Sequence, residues 1–301
     1  MRHLLVLKFI EKIARTGSLR SAAEELNITP SALNRRILGV EKELGVEIFE
    51  RHSSGLRPNL AGEILIKHIR DQIADMDRVE SLIADLSGRR AGHINIATTR
   101  ESVAYFLPAL IKRHLEEFPA VSFRVNLCER GEAEASLQDN TNDIAVVFEP
   151  IRLKELEVIY TGSQPIFCIM SKDHPLAKRE ELKIYDCVDY PLMLPKQPEG
   201  IRQVLDSAAE KLSISLQPIL ESNSLDLLRL MSQDSEALSF CLAINLRPEL
   251  EKDHLVSVPL DVPKARAGTL VAGYLRGRTL PVAAARFLET VKKELSIQFS
   301  N

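Results

Sequence analysis

Residues 17–45 have the sequence GSLRSAAEELNITPSALNRRILGVEKELG, and this stretch predicts two helices joined by a tight turn. Gly17 can end a preceding helix in a left-handed conformation. Ser18 can cap the first helix of the pair, because its side chain accepts a bond from a free backbone N–H. That helix is expected to end at Leu26. Asn27 stands where the chain turns, since asparagine tolerates positive φ better than most residues.

The second helix of the pair has equally clear ends. Thr29 can cap it, and Pro30 suits its first helical position. The helix is expected to continue to about Leu44, where Gly45 ends it. Its predicted apolar face is formed by Ala32, Leu33, Ile37, Val40 and Leu44. The two helices together predict a helix-turn-helix.

The flanking sequence completes a small domain. Apolar residues at helical spacing predict a first helix over residues 4–15. Short apolar stretches surround a Ser-Ser-Gly turn within residues 46–58, and they predict a two-stranded wing. We therefore expect a winged helix-turn-helix over residues 1–58.

A long helix is predicted over residues 59–87, because this segment has no proline and only one glycine. Its apolar residues are spaced mostly by three and four, as in a helix-pairing seam. We expect this seam to pair with a second chain. The alternative is that the helix packs on its own domain. The seam is formed by Ile66, Ile69, Ile73, Met76, Ile83 and Leu86.

The remainder alternates short strands and helices, which implies an α/β fold with a mostly parallel sheet. The linker at residues 87–92 marks the boundary. Strands are predicted at residues 94–97, 123–128, 143–148, 166–170, 192–194, 219–221, 238–242 and 270–274. Helices are predicted at residues 102–118, 200–212, 224–233 and 282–295.

Composition agrees with a soluble protein of about two domains. The 301 residues are 45% hydrophobic and 27% charged. Residues 1–70 hold 12 Lys and Arg against 8 Asp and Glu, while the rest holds 27 against 34. A basic N-terminal part is typical of nucleic-acid binding. No apolar run reaches the roughly 18 residues of a membrane helix, so we expect no membrane partner.

Several classes of site lack a sequence signature. No GxSxG, Walker loop, GxGxxG or HExxH motif occurs, so we expect no enzyme activity and no cofactor. Four scattered cysteines form no CxxC or Cys/His spacing, so we expect no metal. They are expected to be reduced thiols, with a redox-sensing pair as the alternative. The cysteines are Cys128, Cys168, Cys187 and Cys241.

Three runs in the N-terminal part carry a resemblance to a known family. The segments at residues 17–26, 29–37 and 40–51, continuing to 61–63, resemble the LysR-type transcriptional regulators in order and spacing. Further along, residues 143–147 look like the family's central strand, and residues 172–177 look like its entry into a second subdomain. Residues 233–241 depart from the pattern, since QDSEALSFC stands where the family commonly has a glycine-rich stretch.

The resemblance implies an organisation and partners. It implies a winged helix-turn-helix at 1–58, a linker helix and hinge at 59–91, and an effector-binding domain at 92–301. That domain is expected to have two α/β lobes similar to periplasmic binding proteins: lobe I at 92–161 with 269–301, and lobe II at 162–268. The implied partners are double-stranded DNA, further copies in a homodimer or homotetramer, and RNA polymerase, in the cytoplasm.

The DNA-binding residues follow from groove geometry. The helix at 30–44 is expected to enter the major groove, where Arg35 can pair with guanine and Asn34 with adenine, each for about 1–3 kcal/mol of discrimination. Arg51 and Arg57 flank the wing turn and are expected to reach phosphates or a narrow minor groove. For each arginine the alternative is a solvated surface charge. The base-contacting set is Thr29, Ser31, Asn34, Arg35 and Arg36.

The effector residues follow from the open α/β fold, in which ligands bind beyond the carboxyl ends of strands. We expect a small organic acid or other anion, with a carboxylate held by Thr98, Thr99 or Ser102 at a helix start. Simple helix capping is the alternative for these three. The opposite lobe is expected to contribute Leu194, Pro195, Asn223 and Ser224, and Phe148 is expected to wall the cleft.

Two other functions remain open from the sequence. One is a structural DNA-binding protein, or a regulator, that needs no ligand. The other is a redox-responsive regulator that uses its cysteines. The effector, the target promoters and the sign of regulation are not encoded in any motif.

Overall fold

The computed structural model describes residues 2–52, 55–88, 90–246, 254–262 and 268–299. The predicted Ser53 and Ser54 of the wing turn, and Arg89 of the linker, lie outside these residues. The chain divides into two units, residues 1–83 with 139–141 and residues 84–138 with 142–301. Each unit is described by itself.

The first unit is a helical domain with a two-stranded wing. The predicted helices and the wing are confirmed, with ends that differ by a few residues. Its elements are α1 (Arg2–Thr16), α2 (Leu19–Glu25), α3 (Pro30–Leu44), β1 (Phe49–His52), β2 (Gly55–Pro58) and α4 (Leu60–Leu86). Strands β1 and β2 pair antiparallel.

The predicted caps and turns are confirmed. Ser18 and Thr29 each accept a hydrogen bond from the backbone N–H of the third residue of their helix, at 3.3 and 3.2 Å. Gly17, Asn27 and Gly45 have φ values of 64°, 54° and 72°. Local side-chain chemistry therefore sets the ends of α2 and α3.

The core of the first unit is built from all of its helices. Its fully buried residues include Ile10, Ile13, Leu33 and Ile48. Leu44, predicted on the apolar face of α3, is instead 49% exposed, because it lies in the last turn of the helix, beyond the packed part.

The residues of the predicted seam on α4 are partly buried in the core and partly exposed. Ile66 and Ile69 are buried in the core of the first unit, and Ile73 packs against them. Ile83 and Leu86 are 55% and 89% exposed. The prediction of one continuous pairing seam was therefore wrong, because its first half packs within its own domain.

A different apolar stripe lies on the outer side of α4. Leu60, Ile64, Leu82 and Leu86 are all exposed. At 3.6 residues per turn these four positions fall within about 80° of one another. They lie on the side opposite the buried residues of the helix.

The single glycine of α4 has a packing reason. A Cβ at Gly62 would overlap the backbone carbonyl oxygen of Ile48. The glycine therefore lets α4 approach the chain that leads into the wing. The start of α4 is fixed by Asn59, whose side-chain oxygen accepts a bond from the N–H of Gly62 at 2.9 Å.

The described strands of the second unit form three sheets: a five-stranded sheet in lobe I, and a three-stranded and a two-stranded sheet in lobe II. Lobe I begins with β3 (Gly92–Thr98), α5 (Arg100–Val103), α6 (Phe106–Glu117), β4 (Val121–Leu127), α7 (Ala133–Gln138), β5 (Ile144–Phe148) and β6 (Leu156–Gln164). Lobe II follows with β7 (Ile166–Ser171), α8 (Ile184–Cys187), β8 (Leu192–Pro195), α9 (Gly200–Glu210), β9 (Pro218–Ser222), α10 (Leu225–Met231), β10 (Ser239–Leu242), a short turn of 3-10 helix (Ala243–Asn245) and β11 (Leu255–Pro259). The chain returns to lobe I with β12 (Gly268–Leu275) and α11 (Val282–Phe299).

The sheet of lobe I is mostly parallel, as predicted, because four of its five described strands run in the same direction and only β12 runs in the opposite one. Lobe I has the order β4-β3-β5-β12-β6 among the described strands. Strand β3 is parallel to β4 and β5, whereas β12 is antiparallel to β5 and β6. Strand β12 differs from the others in that it enters lobe I after the excursion of the chain through lobe II.

The described strands of lobe II form one antiparallel sheet and one parallel pair. Strand β7 pairs antiparallel with β10 and β11, and β8 pairs parallel with β9. Strands β6 and β11 have no counterpart among the predicted strands, because neither shows a clean alternation of buried and exposed residues.

The predicted helix at 102–118 is two helices, α5 and α6. Pro108 explains the break, because the ring of a proline clashes with the carbonyl of the residue four positions earlier. That residue is Ala104, which directly follows α5. The break separates the residues at the end of β3 from the longer helix.

Candidate nucleic-acid interface and effector site

The exposed side of α3 carries the predicted base-contacting residues. Ser31, Asn34 and Arg35 lie on one face, with Ser31 and Arg35 exposed and Asn34 half-buried. Thr29 precedes them at the cap, and its hydroxyl lies 3.2 Å from that of Ser31. A polar face on a helix whose opposite face is buried can present side chains to base edges in the major groove.

The structure adds one residue to this face that sequence reasoning missed. Leu38 follows Asn34 by four positions and is 51% exposed. An exposed leucine beside polar groups can contact the methyl group of thymine. The signal in the sequence was the spacing 31, 34, 35 and 38, which places four residues on one face.

A hydrogen bond between two side chains joins the wing to α3. The guanidinium Nη2 of Arg51, in β1, donates to the side-chain oxygen of Asn34 at 3.4 Å. Arg57, in β2, is exposed and lies opposite Glu50 in the strand register. The structure therefore brings Arg51 to the predicted reading face, whereas Arg57 faces a carboxylate across the wing.

Two groups of basic residues lie away from that face. Arg36 is exposed, and its guanidinium carbon lies 5.3 Å from the ring centre of Phe9, on the flank of α3. Lys12 and Arg15 both pair with Glu25, at 2.8 and 2.9 Å. The hydrogen bond from Lys12 is the main reason that the pKa of Glu25 is lowered.

In the second unit, two predicted effector residues are used by the fold. Thr98 and Thr99 are buried. The hydroxyl of Thr98 donates to the carbonyl of Val146 at 2.8 Å. The hydroxyl of Thr99 accepts from the N–H of Phe148 at 3.1 Å. These bonds tie the end of β3 to β5, and the Thr99 side chain makes no cap bond to α5.

Phe148 fills the space beside these threonines. It is fully buried. A Cβ at Gly200 or at Gly268 would overlap its ring. The ring of this β5 residue therefore packs between the start of α9 and the start of β12.

Ser102, the third predicted hydroxyl, is also buried. Its Oγ has no hydrogen-bond partner among the described residues. Helix α5 itself contains only four residues.

A carboxylate that sequence reasoning missed lies at the start of α9. Glu101 is 1% exposed, and its Oε1 accepts from the N–H of Gly200 at 3.2 Å. Its Oε2 has no partner within the described part of the chain. Burial raises the pKa of Glu101, although bonds from backbone N–H groups oppose this. An internal carboxylate thus occupies a helix start, where anions are favoured.

A second carboxylate lies close by. Glu199 immediately precedes α9, and its Oε1 lies 3.3 Å from Nε of Arg100. Burial, and then the charge of Glu101, raise its pKa to about 7, while Arg100 acts in the opposite direction. This end of the sheet therefore carries two carboxyl groups and one closely paired arginine.

The residues predicted from the opposite lobe divide into buried and exposed pairs. Leu194 and Pro195 are buried in β8, and the carbonyl of Pro195 accepts from Arg202 at 3.3 Å. Asn223 and Ser224 are exposed, and Ser224 caps α10 through the N–H of Leu227 at 3.3 Å.

The predicted effector residues therefore form two groups. Hydrogen bonds connect Thr98 and Thr99 to β5 and bring Thr99 to Phe148. The other group lies along β8 and the turn before α10. The bond from Gly200 to Glu101 joins lobe II to lobe I between them.

Three of the cysteines, Cys128, Cys168 and Cys241, have little thiolate character. Burial raises the pKa of Cys168, and the neighbouring Cys187 adds to this effect. Burial also raises the pKa of Cys128 to about 11 and that of Cys241 to about 12. All four are free thiols. A high thiol pKa slows oxidation, because the thiolate is the reactive form.

The described residues form neither a membrane-spanning helix nor a cluster of metal ligands. None of the helices there combines the length and apolar character needed to cross a membrane. Over the same ranges, no three His, Cys, Asp or Glu residues are grouped so that they can hold a metal ion.

Similarity to known proteins agrees with this architecture. The family model "Bacterial regulatory helix-turn-helix protein, lysR family" matches residues 4–63. The model "LysR substrate binding domain" matches residues 87–296. A RuBisCO operon transcriptional regulator from Allochromatium vinosum is 25% identical, over 96% of this chain and 95% of its own length.

Solved structures share the fold. A full-length OxyR variant from Pseudomonas aeruginosa has a TM-score of 0.71 at 19% identity, covering 98% of this chain and 94% of that one. A full-length CbnR complexed with target DNA has a TM-score of 0.64 at 17% identity, covering 96% and 99%. With both family models matched over the two units, the chain belongs to the LysR family of bacterial DNA-binding transcriptional regulators.

Proposed function

We propose that this regulator reads double-stranded DNA with the exposed face of α3 and the wing, and that a small molecule held between its two effector lobes changes those contacts. The observation that carries the proposal is the bond from Arg51 to Asn34. It holds a residue that can pair with adenine beside the exposed Arg35, which can pair with guanine.

The reading of DNA can be tested on the full chain. Genomic fragments bound by the purified protein are sequenced, and the recovered site is used in gel shifts. We expect Arg35→Ala to lose about 1–3 kcal/mol of discrimination at one base pair. Arg179→Ala, which removes an exposed arginine in lobe II, is the matched control. Unchanged discrimination by Arg35→Ala would overturn the assignment.

We also propose that the functional form is a homodimer or homotetramer. The support is the exposed stripe of Leu60, Ile64, Leu82 and Leu86 on α4, which a second copy of the helix can cover. Two copies would double the DNA contacts and match two half-sites. Light scattering of Leu82→Glu tests this, with Glu80→Gln as the control on the same helix. A Leu82→Glu variant of unchanged mass would contradict the proposal.

For the effector, the sequence favours an organic acid or other anion. The helix start at α9, where a ligand anion would bind, already carries the Glu101 carboxylate. Glu199 adds a second carboxyl group there. We therefore propose that an acidic effector binds beside this point rather than on it.

The remaining parts of the proposal rest on family membership alone. They are contact with RNA polymerase and residence in the cytoplasm. A regulator that needs no ligand, or one that uses its cysteines as a redox sensor, is the alternative. The high thiol pKa values argue against the redox form.

A further inference from the structure

A cavity lies next to Glu101, the residue whose carboxylate meets the start of α9. Asn245 lines this cavity, and its Nδ2 donates to the backbone carbonyl of Glu101 at 2.6 Å. The cavity is open to solvent at its mouth. None of the effector residues predicted from the sequence lines it.

One wall of the cavity is apolar. Ile169, Leu225 and Phe240 line it in lobe II, and Ala104 lines it from the end of α5 in lobe I. Phe240 and Ile169 are buried strand residues. These side chains can receive a short aliphatic or aromatic group.

The other wall carries two opposite charges side by side. The Oδ1 atom of Asp226 lies 3.8 Å from Nε of Arg229, one turn further along α10. Both residues line the cavity. A ligand with only a negative charge would face Asp226, and a ligand with only a positive charge would face Arg229. A ligand that carries both charges close together matches this wall.

A buried acceptor marks the donor end of such a ligand. Asn245 is 9% exposed, and its Oδ1 has no hydrogen-bond partner among the described residues. Leaving a buried acceptor unsatisfied costs about 1–3 kcal/mol. An ammonium group has three donors, so it can donate to Oδ1 and keep donors for the carboxylate of Asp226, which lines the same cavity.

We propose that the effector of this regulator is an α-amino acid with an apolar side chain, bound in this cavity. Its ammonium group contacts Asn245 and Asp226, its carboxylate contacts Arg229, and its side chain packs on Leu225 and Phe240. This inference rests on the proposed function, because it names the ligand class of the effector domain. Since Ala104 and Asn245 line the cavity beside the bond between lobes, the ligand stabilises one arrangement of the lobes.

The test is calorimetric titration of the full-length protein with L-alanine, L-valine, L-leucine and L-phenylalanine. Two analogues of leucine separate the charges: 4-methylpentanoate lacks the ammonium group, and 3-methylbutylamine lacks the carboxylate. We expect saturable binding of at least one amino acid, and binding at least about tenfold weaker for analogues that lack one charge, since a charged hydrogen bond contributes about 1.5–3 kcal/mol. Equal affinity for the analogues would overturn the proposal.

Two variants locate the site. Ala104→Leu fills the cavity without removing a polar side chain, and Asp226→Asn removes the carboxylate from an exposed position. Both are expected to weaken binding by about tenfold or more, for the loss of a charged or packed contact. Asp189→Asn, an exposed change elsewhere in lobe II, is the matched control. Undiminished binding by Ala104→Leu would overturn the placement.

Gel shifts separate this inference from the proposed function. If the ligand is the effector, it changes the affinity for the recovered DNA site by about fivefold or more, the usual lower range of allosteric coupling. If the protein binds that DNA but none of the amino acids, the inference fails and the proposed regulator stands. If an amino acid binds without changing DNA affinity, its role as the effector is overturned. Failure to bind any genomic site would defeat the proposed function instead.

Discussion

Arg51 in the wing donates a hydrogen bond at 3.4 Å to the side-chain oxygen of Asn34 in the recognition helix. The bond crosses between two elements that the chain forms separately, and it orients the Asn34 amide. Because the amide oxygen has two lone pairs, Oδ1 can still accept from adenine N6 while the amide NH₂ donates to N7. The wing thereby orients a side chain that the proposed function assigns to base contact.

This relationship predicts that Arg51 does more than contribute a positive charge. We expect Arg51→Lys to keep non-specific DNA affinity, because charge dominates that component, but to lose preference at the base pair that Asn34 reads. The expected loss is about 1–3 kcal/mol. Fluorescence anisotropy on the recovered site and on single-base variants measures it. Asn34→Ala should show the same change of preference, and a lysine variant with full base preference would exclude the positioning role.

Two glycines in the first unit predict opposite effects of the same substitution. Gly62→Ala forces a Cβ into the carbonyl of Ile48 and is expected to destabilise the unit by about 1–3 kcal/mol. Gly39 lies inside α3 with no atom within 4 Å of an added Cβ, so Gly39→Ala is expected to stabilise it by about 0.5–1 kcal/mol. Hydrogen exchange of amides in α1 and α3 reports both. Equal responses at the two sites would show that the close approach of α4 has no energetic consequence.

The carboxyl group of Glu199 predicts a pH dependence in the second unit. Its pKa is about 7 in the folded chain, against an ordinary value of 4.5. The folded state therefore holds a proton that the unfolded state loses, so the free energy of unfolding falls as pH rises from 4.5 to about 7 and then levels. Thermal unfolding across this range should show the fall, and Glu199→Gln should reduce it.

A second glutamine variant serves as the control, because it shows whether the pH dependence comes from Glu199 or from carboxylates in general. Glu210→Gln changes an exposed carboxylate at the far end of α9 and should leave the pH dependence as it is in the parent chain. If Glu199→Gln and the parent follow the same curve, the raised pKa of Glu199 has no bearing on stability.

The buried thiols predict resistance to oxidation. Because burial raises the pKa of Cys128, Cys168 and Cys241, their thiolate fraction near neutral pH is small. We expect hydrogen peroxide to leave the affinity of the protein for its DNA site unchanged. Thiol reagents should react with all four cysteines only after denaturation. Mass spectrometry that finds a disulfide between Cys168 and Cys187, together with a loss of DNA binding that dithiothreitol reverses, would favour the redox alternative.

The sequence alone was sufficient for the helix-turn-helix. Ser18, Asn27, Thr29 and Gly45 act on backbone groups within a few positions of themselves, so their residue types already specify where α2 and α3 begin and end. The exposed face of α3 also follows from spacing, which places Ser31, Asn34 and Arg35 together and could have placed Leu38 with them.

Tertiary structure decided the rest. The split of the α4 seam depends on which side of the helix meets the first unit, and the direction of β12 depends on a strand returning from the other lobe. The burial of Phe148 depends on glycines far along the chain. Glu101 meets the N–H of a residue 99 positions later. Such contacts form only when distant segments of the chain assemble. The residues next to Glu101 in sequence do not indicate that its partner is Gly200, so local sequence cannot predict the contact.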